Sequence, residues 1–215
     1  MRPIHQGQRV LAAGVPLAKA RGAVIMVHGR GASAEDILTL AELLPQAGLA
    51  FLAPQAAGHT WYPNSFLAPI ESNEPWLSSA LTALAGLCQE VETNGPGLRH
   101  SALLGFSQGA CLTLEFFARN PRRYGAVIGF TGGLIGPDGT PRDYPGSLAE
   151  TPVFLGCGDP DPHIPVARVH ETAEVLKRMG AEVTVRIYPG LPHTVNQDEA
   201  DAAGRLLSAM LRAGQ

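Results

Sequence analysis

The stretch LLGFSQGACL, Leu103–Leu112, sets the tightest limit on how this chain folds. The apolar run Ser101–Leu104 before it has strand character. After it, Ala110, Cys111, Leu114, Phe117 and Ala118 recur at helical spacing. A polar residue, Ser107, stands at the seam, with glycine two positions away on either side. Gly105-Phe106-Ser107-Gln108-Gly109 fits G-x-S-x-G, in which a serine sits on a sharp strand-to-helix turn with strained backbone. A side chain at either glycine position would collide with the turn. The hydroxyl is thereby lifted clear of the sheet, and the helix behind it aims its positive N-terminal end at the site. Such a turn needs a central strand with helices packed on it.

The rest of the chain repeats that alternation. Ala23–Val27, Leu49–Ala53, Ala126–Phe130 and Pro152–Leu155 are nearly continuous apolar runs, as in strands covered on both faces. Val183–Tyr188 alternates apolar and polar, which suits an edge strand, and an early strand is expected around Arg9–Ala12. Helical faces are formed by Ile37, Leu40, Ala41 and Leu44, by Leu77 to Val91, by Val169 to Leu176 and by Ala203 to Leu211. The expected fold is α/β: a mostly parallel central sheet with helices on both faces and, at this length, no large cap domain. At 215 residues, with no repeat or linker, residues 1–215 read as a single domain. Two long segments, Gln55–Glu74 and Gly132–Thr151, follow strands and are expected at the C-terminal strand ends, where open parallel sheets bind ligands.

Several classes are disfavoured. The net charge is −3 with no basic run, so no nucleic-acid partner is expected. No apolar run has the length of a membrane span, and no secretory leader is evident, so no stable membrane insertion is expected and cytoplasmic is the default. Cys88, Cys111 and Cys157 are too few and too far apart for a disulfide framework and read as buried packing.

A serine nucleophile needs a base, and the base an orienting acid. In hydrolases with this elbow the chain order is serine, acid, histidine. His193, in YPGLPHTV after the last strand, is the candidate base; the other histidines fall before the serine or before that strand. GDPDPHIP offers Asp159 and Asp161. Asp161 is favoured, stiffened by Pro160 and Pro162, while Asp159 is expected to brace the turn by accepting backbone N–H bonds. The oxyanion hole needs two N–H donors, assigned to the backbones of Gln108 and of Arg30 in HGRGASAED. His28 is expected to be a hydrogen-bonding brace and the Arg30 side chain to be solvated. A metal site from Asp159, Asp161, His163 and His170 is disfavoured because Pro165 breaks the register; neither metal nor cofactor is expected.

Taken together, HGRGASAED, TWYP, GFSQGACL, GDPDPHIP and YPGLPHT resemble the phospholipase/carboxylesterase family of α/β-hydrolases, which includes acyl-protein thioesterases and small carboxylesterases. The resemblance spans nearly the whole chain. It implies cofactor-free, serine-dependent hydrolysis, with Ser107, Asp161 and His193 as triad and the Arg30 and Gln108 amides as oxyanion hole. It also implies an acyl pocket walled by Trp61, Tyr62 and Phe66. Acyl-protein thioesterases usually carry an apolar residue in place of Arg30, and HGD before the acid where this chain has CGD. Small-molecule esters are therefore expected, with thioesters the alternative; without a large cap domain the site should be a shallow open cleft, which suits short to medium acyl chains. A dienelactone-hydrolase-like lactonase, whose usual nucleophile is cysteine, and a non-catalytic binding module rank lower. The expected partner is a small ester or thioester; a homodimer is left open.

Overall fold

The computed structural model describes residues 3–213. Seven strands form one sheet: β1 (Val10–Gly14), β2 (Gly22–Val27), β3 (Leu49–Pro54), β4 (Ser101–Phe106), β5 (Ala126–Phe130), β6 (Pro152–Asp159) and β7 (Glu182–Pro189). Their spatial order is β1-β3-β2-β4-β5-β6-β7, with β1 antiparallel to β3 and every other pair parallel. Among the described residues four α-helices lie between strands, α1 (Ala34–Thr39), α2 (Trp76–Asn94), α3 (Gln108–Arg119) and α4 (Val166–Arg178), and a fifth, α5 (Gln197–Ala213), follows β7.

The continuous apolar runs are explained by burial on both sheet faces. On one face Ile25, Val27, Leu103, Val127 and Leu155 pack under α2, α3 and α4. On the other Val24, Met26, Phe51, Leu104, Ile128 and Phe154 pack under α1 and α5. Successive strand residues alternate between these two cores, as the pleat requires. β7, at the sheet edge, is only part-buried, in keeping with its alternating sequence. Among the described residues no helix is long and apolar enough to cross a membrane.

Two elements depart from the sequence reading. The helix expected through Leu44 changes at Leu40 into a tighter 3₁₀ turn, Leu40–Leu43. Pro45 follows, and its ring disfavours helical backbone at Leu44, which is extended with ψ 161°. β6 runs four residues beyond Leu155, through Gly156, Cys157 and Gly158, in register with β7 as far as Asp159↔Pro189. The glycines there serve close approach instead of a turn: a Cβ on Gly158 would lie 2.2 Å from the Leu191 carbonyl oxygen.

The two long segments do different jobs. Gln55–Glu74 crosses the C-terminal end of the sheet and forms one wall of a cleft. Gly132–Thr151 does not line that cleft; it supports the wall from behind, with the Gly136 N–H donating to the Phe66 carbonyl at 2.7 Å. A charged network fixes this support. Buried Glu115 of α3 pairs with Arg119 and Arg142, and Arg142 and Arg168 both reach Glu171 of α4.

Candidate active site

The seam between β4 and α3 carries Ser107 at φ 55°, ψ −121°, outside the helical region. Its N–H donates to the Phe130 carbonyl of β5 at 3.0 Å, which ties the turn to the neighbouring strand. Both flanking glycines are sterically required. A Cβ on Gly105 would lie 2.4 Å from the Gly109 carbonyl oxygen, and one on Gly109 would lie 2.1 Å from that of Val27. The serine side chain makes no capping bond to α3, so its hydroxyl is free for other work.

That hydroxyl meets an imidazole. Ser107 Oγ lies 2.9 Å from His193 Nε2, and His193 Nδ1 lies 2.8 Å from Asp161 Oδ2. His193 comes from the loop after β7 and Asp161 from the loop after β6, so three strand ends converge. Asp161 is also held by its own loop: Oδ1 accepts the N–H groups of His163 at 2.8 Å and Ile164 at 2.9 Å. The turn-bracing part expected of Asp159 is therefore filled by Asp161 itself; Asp159 is exposed at the end of β6. Burial pushes the Asp161 carboxyl up, but the His163 N–H, the His193 side chain and the Ile164 N–H outweigh it and leave it below the ordinary carboxylate range. An ionised carboxylate on Nδ1 fixes the proton there and leaves Nε2 as acceptor for the serine proton.

Neither the Arg30 nor the Gln108 backbone N–H has a hydrogen-bond partner among the described residues. Both residues line the cleft beside Ser107. The Gln108 side chain works elsewhere: its amide oxygen accepts the Trp61 N–H at 2.9 Å, and its amide nitrogen donates to the Tyr62 carbonyl at 2.8 Å. The Arg30 side chain is exposed to solvent and also reaches across to the same loop. It donates to Thr60 Oγ1 at 3.2 Å, to the Pro63 carbonyl at 2.8 Å and to the Asn64 carbonyl at 2.6 Å. The two residues with free amides thus also anchor the cleft wall.

Behind them, His28 is fully buried. It accepts the Ala56 N–H at Nε2 (3.1 Å), which assigns its proton to Nδ1, 2.7 Å from the Gly29 carbonyl. Burial lowers its pKa, so it stays a neutral brace. Trp61 does not wall the cleft as expected: it is fully buried, with its indole N–H donating to the His28 carbonyl at 2.9 Å. Tyr62 and Phe66 do line the cleft, together with Cys111, Ile164 and Phe106, around a volume of about 450 Å³. Cys111 is buried and its thiol is pushed up to about 12 by that burial, so it is an inert part of the floor. A groove of about 650 Å³ between residues 3–12 and α2 is larger, but its Ser79 faces the His5 N–H and no base.

Sequence reasoning missed His163 as a site residue. It lines the cleft with its ring 4.8 Å from that of His193, edge to face. Its position two residues after Asp161 was the available signal.

The His193 loop ends at Asn196, the N-cap of α5. Asn196 Oδ1 accepts the Glu199 N–H and Glu199 Oε2 accepts the Asn196 N–H, both at 2.9 Å, a reciprocal cap. Burial raises the Glu199 carboxyl to about 7, against the pull of the Asn196 N–H. Between its unfolded and folded pKa values the native state holds a proton that the unfolded chain has released. Stability from this group is therefore full at acid pH and falls as pH rises toward 7. Glu199→Gln keeps an oxygen for the Asn196 N–H and removes the titration. Urea unfolding at about pH 5 and pH 8.5 is expected to show the variant losing less stability than wild type, by about 2 kcal/mol after solvent screening. Equal losses would contradict the assignment.

A mostly parallel sheet, a strained serine turn at the end of a central strand and a hydrogen-bonded imidazole and carboxylate define an α/β-hydrolase. Comparison with known proteins narrows this further. Residues 11–211 match the phospholipase/carboxylesterase family model, and the chain belongs to that family. The crystal structure of a phospholipase/carboxylesterase from Dyadobacter fermentans superposes with a TM-score of 0.90 at 44% identity, covering 94% of this chain and 97% of that one. Esterase PE8 superposes with a TM-score of 0.75 at 25% identity, over 94% and 98% of the two chains. Acyl-protein thioesterase 1 of Debaryomyces hansenii is 23% identical, over 90% of this chain and 93% of its own.

Proposed function

We propose that the protein is a serine esterase, acting as one domain over residues 1–215, that cleaves carboxylic esters of short to medium acyl chain through an acyl-enzyme. The observation that carries this reading is the unbroken chain Ser107–His193–Asp161 beside two free backbone amides. Ser107 Oγ attacks the acyl carbon as its proton passes to His193 Nε2, and Asp161 stabilises the imidazolium. The developing oxyanion is taken by the Arg30 and Gln108 N–H groups, each contributing about 2.7–4 kcal/mol in sites of this kind. The C–O bond to the alcohol breaks and His193 protonates the departing oxygen. Water, deprotonated by His193, then releases the acid and restores the hydroxyl. No step calls for a metal or cofactor.

Thioesters are the second reading, favoured by the full-length similarity to a relative named acyl-protein thioesterase 1. The same steps apply, with a thiol leaving. Oxyester and thioester pairs of equal chain length separate the two by kcat/KM.

A fluorophosphonate probe tests the shared mechanism. Stoichiometric labelling at Ser107, identified by peptide mass, is expected, with loss of labelling in Ser107→Ala. Failure to label the wild type, or undiminished labelling of the variant, would refute it.

A further inference from the structure

The cleft is electrostatically one-sided. None of the 19 acidic side chains lines it, although the chain as a whole carries −3. Asp161 stands behind the imidazole with both oxygens engaged, toward His163, Ile164 and His193. The ionisable side chains that do line the cleft are, among the described residues, Arg30, Tyr62, Cys111, His163 and His193. Arg30 is the permanently charged one. It is exposed and held in place by three donated hydrogen bonds, to one hydroxyl and two carbonyls. None of these acceptors bears a formal charge, and the described residues give Arg30 no carboxylate partner. A guanidinium has five N–H donors, so donors remain for a ligand. Its fork is already oriented, which lowers the entropy cost of binding a planar anion.

We propose that the preferred substrate is an ester bearing a carboxylate on its acyl or alcohol arm, with the Arg30 side chain as the residue that selects it. This rests on the esterase reading above. Arg30 then acts at two points: its backbone amide meets the ester carbonyl and its guanidinium meets the carboxylate. The distance between the two substrate groups is set by the span of one arginine side chain. That side chain places about three methylenes before its charged head, so an acyl arm with about four methylenes between ester and carboxylate reaches a similar distance.

The test compares matched esters in the wild type: mono-4-nitrophenyl adipate against 4-nitrophenyl hexanoate for the acyl arm, and 4-acetoxybenzoate against its methyl ester for the alcohol arm. A preference in kcat/KM of about tenfold or more for the anion in one pair is expected, the scale of a charge-assisted hydrogen bond. The pair that shows it identifies the arm. The preference is expected to vanish in Arg30→Met and to survive in part in Arg30→Lys. Because this residue also supplies an amide to the oxyanion and anchors the cleft wall, the readout is the anion-to-neutral ratio within each protein, not either rate alone. Salt gives a check without any substitution: raising ionic strength to about 1 M shortens screening to about 3 Å and should lower the wild-type ratio. Equal turnover of anionic and neutral partners in both pairs, a ratio unchanged in Arg30→Met, or a ratio insensitive to salt would overturn the proposal. Turnover of neutral esters without anionic preference refutes this inference alone. No turnover of any ester, with no probe labelling, refutes the esterase reading itself.

Discussion

Replacing Ser107 by alanine is expected to lower kcat on a 4-nitrophenyl ester by about 10⁵–10⁶-fold while leaving the protein folded. The two halves of that statement come from different contacts. The serine hydroxyl has one side-chain partner, His193 Nε2 at 2.9 Å, and caps nothing in α3. The strain at φ 55° belongs to any residue with a Cβ, so alanine bears the same cost as serine. The Ser107 N–H to Phe130 bond is backbone and persists. Thermal unfolding should therefore shift by no more than an exposed substitution would, about 0.5 kcal/mol. The loss in rate is not expected to be complete. The Arg30 and Gln108 amides remain, and an intact oxyanion hole in such variants sustains hydrolysis about 10³–10⁴-fold above water. A variant that keeps more than about a hundredth of the wild-type kcat, in a preparation shown by mass to be free of wild type, would remove Ser107 from the mechanism. A variant that loses both activity and its unfolding transition would instead show that the hydroxyl supports the turn.

How much of this was legible in the sequence depended on whether the determining contact was local. The elbow was: Gly105, Ser107 and Gly109 carry their reason within five residues, and the strand and helix on either side follow from periodicity. The buried strands were legible because double-sided burial leaves an unbroken apolar run. β6 beyond Leu155 was not, because Gly156 and Gly158 look like turn residues. Their reason is the close approach of Glu199 and Leu191, both distant in the chain. The same distinction separates the residues of the cleft. Tyr62 and Phe66 line it, but Trp61 turns inward to His28, and nothing in the tripeptide Trp61-Tyr62-Pro63 says which ring faces which way. The hydrogen bonds that hold the exposed Arg30 side chain were not legible, because their acceptors, Thr60, Pro63 and Asn64, lie some thirty residues away on a loop whose path the sequence does not describe. Position relative to the strand end favoured Asp161 over Asp159 as the partner of His193, and Asp161 Oδ2 does face that ring, but the bracing bonds from the His163 and Ile164 N–H groups, expected at Asp159, go to Asp161 as well.

Those bracing bonds make Asp161→Asn the second substitution with a large expected effect, about 10⁴-fold in kcat. Asp161 accepts three hydrogen bonds and donates none: Oδ1 takes the N–H groups of His163 and Ile164, and Oδ2 takes His193 Nδ1. Asparagine is nearly the same shape but offers one oxygen and one NH₂ group. With its oxygen toward His193, the NH₂ group faces two backbone N–H donors and leaves both unsatisfied, at about 1–3 kcal/mol each. With its oxygen toward the backbone, the NH₂ group faces His193 Nδ1, and the conflict is relieved by moving the imidazole proton to Nε2. The second arrangement is the less costly, and it is the inactive one, because Nε2 then donates toward Ser107 and has no lone pair to take its proton. Asp161→Ala separates this from loss of loop order. Alanine forces no tautomer but leaves the His163 and Ile164 N–H groups without their acceptor. Asparagine is therefore expected to unfold close to wild type yet turn over no faster than alanine, while alanine unfolds earlier. Measured kcat and urea midpoints for the two variants decide the matter. An asparagine variant within about tenfold of wild-type kcat would mean that the carboxylate does not set the imidazole tautomer.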